Sequence, residues 1–278
     1  MSGPLAHGAA AALAATGYGL AACRVTRPLL WEWGFDHVHW RGPRDERTRF
    51  ALSFDDGPDP RQTPALLEIL ARHRLRATFF LLGREAARHP ALVREIAAAG
   101  HELGNHSFSH ARLPLLSTAR MQAEIDRATE AIGAACGEAP RLFRPPYGLR
   151  DRRLLRATRE RGLTLLLWSV MPWDWLAPPA VWIERWLRLR VRPGAIVTLH
   201  DGGGDRRPTL EALDRVLPQL AARGRQATCC GELLRLEQAD PAPMPHPPAG
   251  RGPEPATAPR EAAGATPEGA IRPGGEAV

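Results

Sequence analysis

Short apolar runs alternate with helical patterns from residue 48 to about residue 235. Seven runs have the character of strands, and they occupy residues 50–54, 77–82, 101–104, 141–144, 163–169, 195–199 and 226–230. Between them, apolar residues recur at helical spacing, as in TPALLEILARHRL, where we expect Thr63 to be the N-cap and Pro64 the first helical residue. Strands that alternate with helices predict an α/β architecture with a parallel sheet, either a barrel or an open sheet.

Polar side chains gather directly after these strands, where parallel α/β folds place their sites. Asp55 and Asp56 follow the first run, and His106 and His110 follow the third. Asp-Gly-Pro is also an ordinary turn signal, and a lone histidine pair is more often a surface or capping pair. Histidines at i and i+4 share one face of a helical turn. Together, Asp, His and His are three ligands that leave a hydrolytic zinc one open position.

Three further post-strand segments carry candidate chemistry. The prolines of the sequence RPPYG, residues 144–148, fix a rigid loop that holds Arg144 where it can pair with a carboxylate. The sequence WSVMPWDW, residues 168–175, contains three tryptophans that form either core or an aromatic wall for a sugar ring. His200 ends the sixth run and leads into Asp201 and three glycines, which favours an open rim over a buried histidine.

Composition narrows the class of partner. The chain has 278 residues, a net charge of +7 and no lysine, so its 37 basic residues are all arginines. These arginines are scattered along helical stretches and do not form a basic arm, which argues against nucleic-acid binding. The four cysteines have no CxxC spacing and are expected to be buried thiols.

The two ends of the chain differ from the middle. Residues 5–23 form an uncharged, Ala-rich segment of about the length of a membrane span, and no Lys or Arg precedes it as a signal peptide would require. A packing or interfacial helix is an equal alternative to a membrane anchor. Residues 236–278 are rich in Pro, Ala and Gly, and we expect them to be disordered.

The motifs in this order resemble the polysaccharide deacetylase family, which is the NodB homology group or carbohydrate esterase family 4. They are SFDDGP at 53–58, HSFSH at 106–110, RPPYG at 144–148, WSVMPWDW at 168–175 and LHD at 199–201. The resemblance implies a deformed (β/α)7 barrel over residues 48–235, with residues 1–47 as an N-terminal lead-in and residues 236–278 as a tail.

The resemblance also implies a role for each matching residue. Asp55 resembles the family's general base, Arg144 the arginine that orients it, and His200 the general acid. The metal ligands would be Asp56, His106 and His110. The backbone N–H of Tyr147 would stabilise the oxyanion, and Trp175 would line the acetyl pocket. The residues expected on the substrate side of the site are Tyr147, Trp175, Pro146, Asp174 and Thr198.

Two positions depart from the family pattern. Met171 stands where the family usually has an aspartate that supports the acid histidine, so His200 would be a weaker acid unless Asp174, Asp201 or another carboxylate replaces that partner. Thr198 stands where an aliphatic residue packs against the acetyl methyl, which suggests an altered acyl pocket. Both departures bear on the substrate and the rate more than on the class of reaction.

The sequence therefore predicts a metal-dependent hydrolase that removes N-acetyl groups from an N-acetylated sugar or polysaccharide. The expected cofactor is a divalent metal, zinc before Co, Ni or Mn. Alternatives are an O-acetyl esterase or non-sugar amidohydrolase on the same scaffold, and a degenerate barrel that only binds glycans. The expected partner is an N-acetylated glycan and no nucleic acid, with membrane association through residues 5–23 left open. A membrane-associated or cell-envelope location is favoured over a cytoplasmic one.

Overall fold

A computed structural model describes residues 38–236 and contains a parallel sheet of eight strands. The strands are β1 (Val38–His39), β2 (Arg49–Asp55), β3 (Thr78–Leu81), β4 (Glu102–Asn105), β5 (Leu142–Phe143), β6 (Thr164–Leu166), β7 (Ile196–His200) and β8 (Gln226–Thr228). Their order is β1-β6-β5-β4-β3-β2-β7, with β8 beside the start of β2. Each of the seven predicted runs overlaps one strand, and the predicted parallel α/β barrel fold is confirmed.

Eight helices connect and cover the strands in the described residues. They are α1 (Thr63–Arg72), α2 (Gly83–Arg88), α3 (Pro90–Ala98), α4 (Thr118–Cys136), α5 (Arg152–Glu160), α6 (Ala180–Arg190), α7 (Arg207–Ala222) and α8 (Cys230–Leu234). Helix α4 begins after Ser117, whose hydroxyl accepts from the Arg120 N–H, and it ends at Gly137 with a left-handed φ of 84°. The predicted N-cap of α1 is wrong: Gln62 holds that position, and Thr63 is the first helical residue.

The strands are apolar on both faces because helices cover one face and the barrel interior lies on the other. Phe50, Leu52 and Phe54 of β2 pack outward against the helices. The alternate residue Ala51 packs inward with side chains from the other strands and α8, and this interior cluster comprises Ala51, Phe80, Leu142, Leu166, Ile196, Cys230 and Leu233. Each large apolar side chain buried in these layers stabilises the fold by roughly 1.5–3 kcal/mol.

The sheet extends beyond the N-terminal boundary that we expected at residue 48. Strand β1 pairs in parallel with β6, from Val38 opposite Leu165 to His39 opposite Leu166. Isolated β-bridges join Arg41 to Ala195 and Val170 to Val197, so β7 and the residue before it pair with segments close to β1 and β6. The barrel is therefore nearly closed by short contacts in place of a full strand pair.

The candidate anchor at residues 5–23 and most of the predicted tail lie outside the described residues. Within residues 38–236, no helix combines the length and the apolar character that crossing a membrane requires.

Candidate active site

The site lies at the carboxyl ends of the central strands. Asp55 is the last residue of β2 and pairs in register with His200, the last residue of β7. Arg144 follows β5, and His106 follows β4. Because neighbouring parallel strands end at the same edge, residues separated by more than a hundred positions in the sequence meet here.

Asp56, His106 and His110 form a cluster that could hold a metal ion. Their candidate ligand atoms all lie within 4.8 Å of one another. The Nε2 atom of His110 is 3.2 Å from Asp56 Oδ1, and that of His106 is 3.6 Å from the same oxygen. Asp56 Oδ1 is buried and accepts no hydrogen bond from the described residues. An unsatisfied carboxylate oxygen that faces two imidazole nitrogens fits a cation-binding set, and these donor types suit zinc.

The two histidines are held in the state that binds metals. The Arg144 carbonyl oxygen is 2.7 Å from His106 Nδ1, which places the proton on Nδ1 and leaves Nε2 free as a ligand. Burial lowers the pKa of His106 to about 3 and also lowers the pKa of His110. Both imidazoles are therefore neutral at neutral pH, as ligation requires.

The HSFSH segment is a loop, so the prediction that its histidines share a helical turn is wrong. Ser107 and His110 have left-handed φ values of 65° and 64°. The loop is shaped by side chains: Asn105 Oδ1 accepts from the Ser107 N–H at 2.7 Å. Glu124 of α4 accepts from the N–H groups of Phe108 and Ser109 at 3.1 and 2.8 Å. The loop brings both imidazoles to Asp56 without a helix.

Asp55 is paired with a fully buried arginine. Arg144 Nη1 donates to Asp55 Oδ1 at 2.6 Å and to Ser53 Oγ at 2.8 Å. Its guanidinium also lies 3.9 Å from the centre of the Phe80 ring. The second Asp55 oxygen, Oδ2, is 4.0 Å from His106 Nε2 and stays beside the metal-ligating cluster. The predicted pairing of Arg144 with a carboxylate is confirmed.

Asp174 supplies the carboxylate that Met171 lacks. Its Oδ1 is 2.9 Å from His200 Nδ1, and its Oδ2 accepts from the His200 N–H at 2.9 Å. Burial by itself lowers the pKa of His200, but the charge and hydrogen bond of Asp174, with the charges of Asp56 and Asp55, raise it to about 9. The sequence left Asp174 and Asp201 open as replacements for the missing aspartate, and Asp174, three residues after Met171, takes that role.

Asp201, the other substitute considered, points elsewhere. It is fully buried and accepts from the Thr63 hydroxyl at 2.6 Å. Burial, together with the charges of Asp56 and Asp55, raises the pKa of Asp201 to about 7. The Asp201 carboxylate also lies directly beside Gly57, where an added Cβ would be only 2.3 Å from Oδ2. Asp201 thus supports the backbone of the Asp55–Gly57 turn.

A cavity of about 1000 Å³ opens above these groups. Among the residues predicted to contact substrate, Tyr147, Trp175 and Thr198 line it, as does Met171. Asp174 and Pro146 do not line it: both are buried, Asp174 beside His200 and Pro146 in the turn Pro146–Gly148. Neither residue therefore lies at the cavity surface where we predicted contact with substrate. Asp174 instead supports His200, and Pro146 instead forms part of the turn.

Tyr147 lines this cavity, and the backbone hydrogen bonds of its turn do not use its N–H. It has a left-handed φ of 59°, and the turn's own bonds run from Gly148 N–H to Pro145 and from Leu149 N–H to Pro146. Among the described residues, no backbone acceptor takes the Tyr147 N–H. The Tyr147 ring meets His110 edge-on at 4.6 Å between centroids. Thr198 adds a buried hydroxyl that has no hydrogen-bond partner in residues 38–236.

Four supporting residues of the site were not predicted from the sequence. Ser53 bonds Arg144, Glu124 holds the HSFSH loop, and Thr209 donates to Asp174 Oδ2 at 3.1 Å. Arg206 is almost fully buried and donates to the carbonyls of Gly202 and Asp174. Ser53 lies inside the SFDDGP motif, so its position beside Asp55 could have been found from the sequence. The other three lie on or beside helices, with no local signal.

Comparison with known proteins gives consistent matches over this region. Residues 42–166 match the family model described as polysaccharide deacetylase. The chain is 36% identical over 203 residues to a peptidoglycan-N-acetylglucosamine deacetylase of Bacillus cereus, covering 72% of this chain and 94% of that protein. It is 40% identical over 185 residues to a chitooligosaccharide deacetylase of a Bradyrhizobium species, covering 62% of this chain and 84% of that protein.

Solved structures agree with the fold. A crystal structure of a peptidoglycan N-acetylglucosamine deacetylase has a TM-score of 0.70 and 32% identity, over 72% of this chain and 93% of that chain. A pseudoenzyme of the CE4 family from Bacillus anthracis has a TM-score of 0.67 and 28% identity, over 71% of this chain and 68% of that chain. The same scaffold thus carries both named deacetylases and a named pseudoenzyme.

Proposed function

Because this chain belongs to the polysaccharide deacetylase family, we propose that it is a metal-dependent hydrolase that removes acetyl groups from the N-acetylglucosamine units of a glycan. One observation carries the proposal. Asp55, held by Arg144, lies beside the Asp56–His106–His110 cluster, and the His200–Asp174 pair completes the same site. A base, a metal-ligand set and an acid at one cavity are the parts that amide hydrolysis needs.

Asp56, His106 and His110 are the residues that would hold the ion. Zinc is the expected ion, with Co, Ni or Mn as alternatives, since an Asp/His/His set accepts each of them. A divalent ion bound there would supply a more acidic water and a polarised acyl carbonyl. The unsatisfied Asp56 oxygen and the two neutral imidazoles support this assignment.

Asp55 is assigned as the general base. Its Oδ1 is fixed by Arg144, which leaves Oδ2 on the side of the metal-ligating cluster to accept a proton from the attacking water. The Arg144 cation offsets the burial of the carboxylate and prevents it from turning away. Arg144 acts through Asp55 and is a positioning residue.

His200 is assigned as the general acid. A pKa of about 9 means that its imidazole is protonated at neutral pH, so it can give a proton to a departing amine. An amide needs that proton more than an ester does, because an amine anion is the poorer leaving group. The supported His200 therefore favours N-acetyl over O-acetyl substrates. The Tyr147 N–H is assigned as the donor to a developing oxyanion, which the absence of a backbone acceptor for it among the described residues supports.

The arrangement of these residues also argues against the two alternatives, an esterase and a barrel that only binds glycans. The ester hypothesis depended on an unsupported His200, and Asp174 supports it. A binding-only barrel has no need of a buried base, a proton donor and a ligand set at one point. By their names, the relatives act on peptidoglycan and chitooligosaccharides, which supports a glycan of the cell envelope as substrate and the envelope as the location.

The test is acetate release from chitooligosaccharides and from an O-acetyl ester, using zinc-loaded protein. Asp55→Asn should lower amide turnover on the order of a hundredfold or more while zinc is still bound. Asp205→Asn, at an exposed aspartate paired with Arg207, is the matched control and should leave turnover unchanged. Ester turnover without amide turnover would favour the esterase, and bound zinc with no turnover of either substrate would favour the binding barrel.

A further inference from the structure

The segment from Trp175 to Arg192 leaves an exposed apolar surface, most of which lies outside the proposed active site. Eight large apolar side chains are exposed in residues 38–236, and five of them lie in this segment. They are Trp175 (41% exposed), Leu176 (46%), Val181 (63%), Trp182 (39%) and Leu189 (52%), together called the mouth patch below. Concentrated apolar exposure of this kind marks an interaction surface.

The α6 residues of the mouth patch lie on one face of the helix, and this face adjoins the cavity. With 3.6 residues per turn, Val181, Trp182 and Leu189 share one helix face, opposite the buried Ile183 and Leu187. Trp173 lines the cavity and lies 6.2 Å from Trp182 between ring centroids, so the helix face continues into the cavity wall. Trp175 belongs to both surfaces.

Positive charge surrounds these apolar side chains. Residues 175–192 contain four arginines and a single acid, Glu184, which accepts a hydrogen bond from Gln219 of α7. Arg185 lies on the same helix face as Val181 and Leu189, while Arg188 and Arg190 flank it. Within the part of the chain that the structure describes, none of these three arginines has a carboxylate within ion-pair distance.

We propose that the mouth patch docks the protein onto the surface of an anionic lipid bilayer. Trp, Leu and Val side chains enter the boundary between headgroups and acyl chains, and arginines bind the anionic headgroups. Three of the five exposed apolar residues are aliphatic and have no aromatic face on which a sugar ring could stack: Leu176, Val181 and Leu189. That composition favours lipid over a glycan platform, and the inference does not depend on the proposed reaction.

Docking through this surface would bring the cavity mouth to the bilayer. Trp175 is shared by the mouth patch and the cavity lining, so a glycan held close to the membrane surface would reach the site directly. The contact is peripheral, and it requires no membrane-spanning helix.

The test is co-sedimentation of the full chain with phosphatidylcholine vesicles, with and without phosphatidylglycerol. The triple variant Leu176→Ser, Val181→Ser, Leu189→Ser should bind anionic vesicles roughly tenfold more weakly or worse. Replacing Arg185, Arg188 and Arg190 by Gln should weaken binding to anionic vesicles by about fivefold per arginine and leave binding to pure phosphatidylcholine unchanged.

Matched controls lie elsewhere on the surface. Leu115→Ser removes a leucine that is 76% exposed, and replacing Arg120, Arg156 and Arg159 by Gln removes the same charge from α4 and α5. Both controls should bind vesicles like the wild type. Thermal unfolding of every variant shows that the fold is intact, without reference to catalysis.

Four outcomes would overturn the proposal. One is a wild type that does not sediment with anionic vesicles, and a second is a mouth-patch variant that sediments as well as the wild type. Another is self-association of the wild type that the leucine and valine substitutions abolish while vesicle binding is unchanged, which identifies a second copy as the occupant. The last is a triple variant whose only change is a raised KM for long chitooligosaccharides, which identifies a glycan as the occupant of the mouth patch.

Discussion

At the scale of single residues, Asp174 determines how His200 is held. Both of its carboxylate oxygens are occupied: Oδ1 by the imidazole, and Oδ2 by the His200 N–H and the Thr209 hydroxyl. Neither the ring nor the carboxylate can rotate without losing a buried hydrogen bond. The His200 Nε2 atom is therefore left as the nitrogen available to a substrate.

We expect Asp174→Asn to lower amide turnover on the order of a hundredfold. Burial lowers the pKa of His200, but the charge and hydrogen bond of Asp174, together with the charges of Asp56 and Asp55, raise it to about 9, so removing the Asp174 charge lowers that pKa and the protonated fraction of the acid. The alkaline limb of the kcat/KM profile should move to lower pH. Thr209→Val, which removes a single hydrogen bond to the same carboxylate, should have a smaller effect. An alkaline limb that stays in place in Asp174→Asn would contradict the assignment of His200.

Met171→Asp should not speed amide hydrolysis. Asp174 already holds His200 Nδ1, and Met171 lines the cavity, so a carboxylate there would add uncompensated charge to the wall. We expect an unchanged or lower kcat for acetate release from chitooligosaccharides. A clear increase in kcat would mean that Asp174 leaves His200 incompletely supported.

At the scale of elements, helix α4 sets the shape of the loop that carries the two histidines. Glu124 receives two backbone N–H groups and the Ser109 hydroxyl, and Asn105 binds both the loop and the Ile125 carbonyl on α4. The left-handed residues Ser107 and His110 keep their geometry because these bonds fix the backbone. Metal affinity should thus depend on a residue that touches no metal ligand directly.

Glu124→Ala should weaken zinc binding by about 10- to 100-fold, as the loss of other supporting contacts around metal ligands does. Turnover at saturating zinc should fall much less, because the ligands themselves remain. Glu130→Ala, at an exposed position on the same helix, is the control and should leave both quantities unchanged. Isothermal titration with zinc measures the affinity; equal zinc affinities for Glu124→Ala and the wild type would rule out this role.

At the scale of the whole molecule, the site and the barrel are stabilised by the same buried contacts. Arg144 connects the end of β5 to Ser53 and Asp55 of β2, and its ring contact is Phe80 of β3. Strands at separate places in the sheet are thus joined through one side chain. The Arg144–Asp55 ion pair is buried in a largely apolar interior, so the loss of one charge would leave the other buried and unpaired.

Arg144→Gln should lower the free energy of unfolding by about 3–5 kcal/mol, because Asp55 would remain as an unpaired buried charge. The reference is Arg72→Gln, which breaks an exposed pair with Asp214 and should cost less than about 1 kcal/mol. Urea denaturation of both variants measures the difference. Equal losses would mean that the buried pair adds no more to stability than the surface pair.

The sequence by itself determined the order of strands and helices, the fold family and the metal-ligand and base candidates, because apolar periodicity and short motifs are local. Tertiary structure decided what depends on distant segments meeting. It selected Asp174 over Asp201 as the partner of His200, turned the HSFSH segment into a loop held by α4, and moved Pro146 and Asp174 off the cavity wall. It also exposed Leu176, Val181 and Leu189, since burial depends on which neighbours a side chain acquires and not on its own hydropathy.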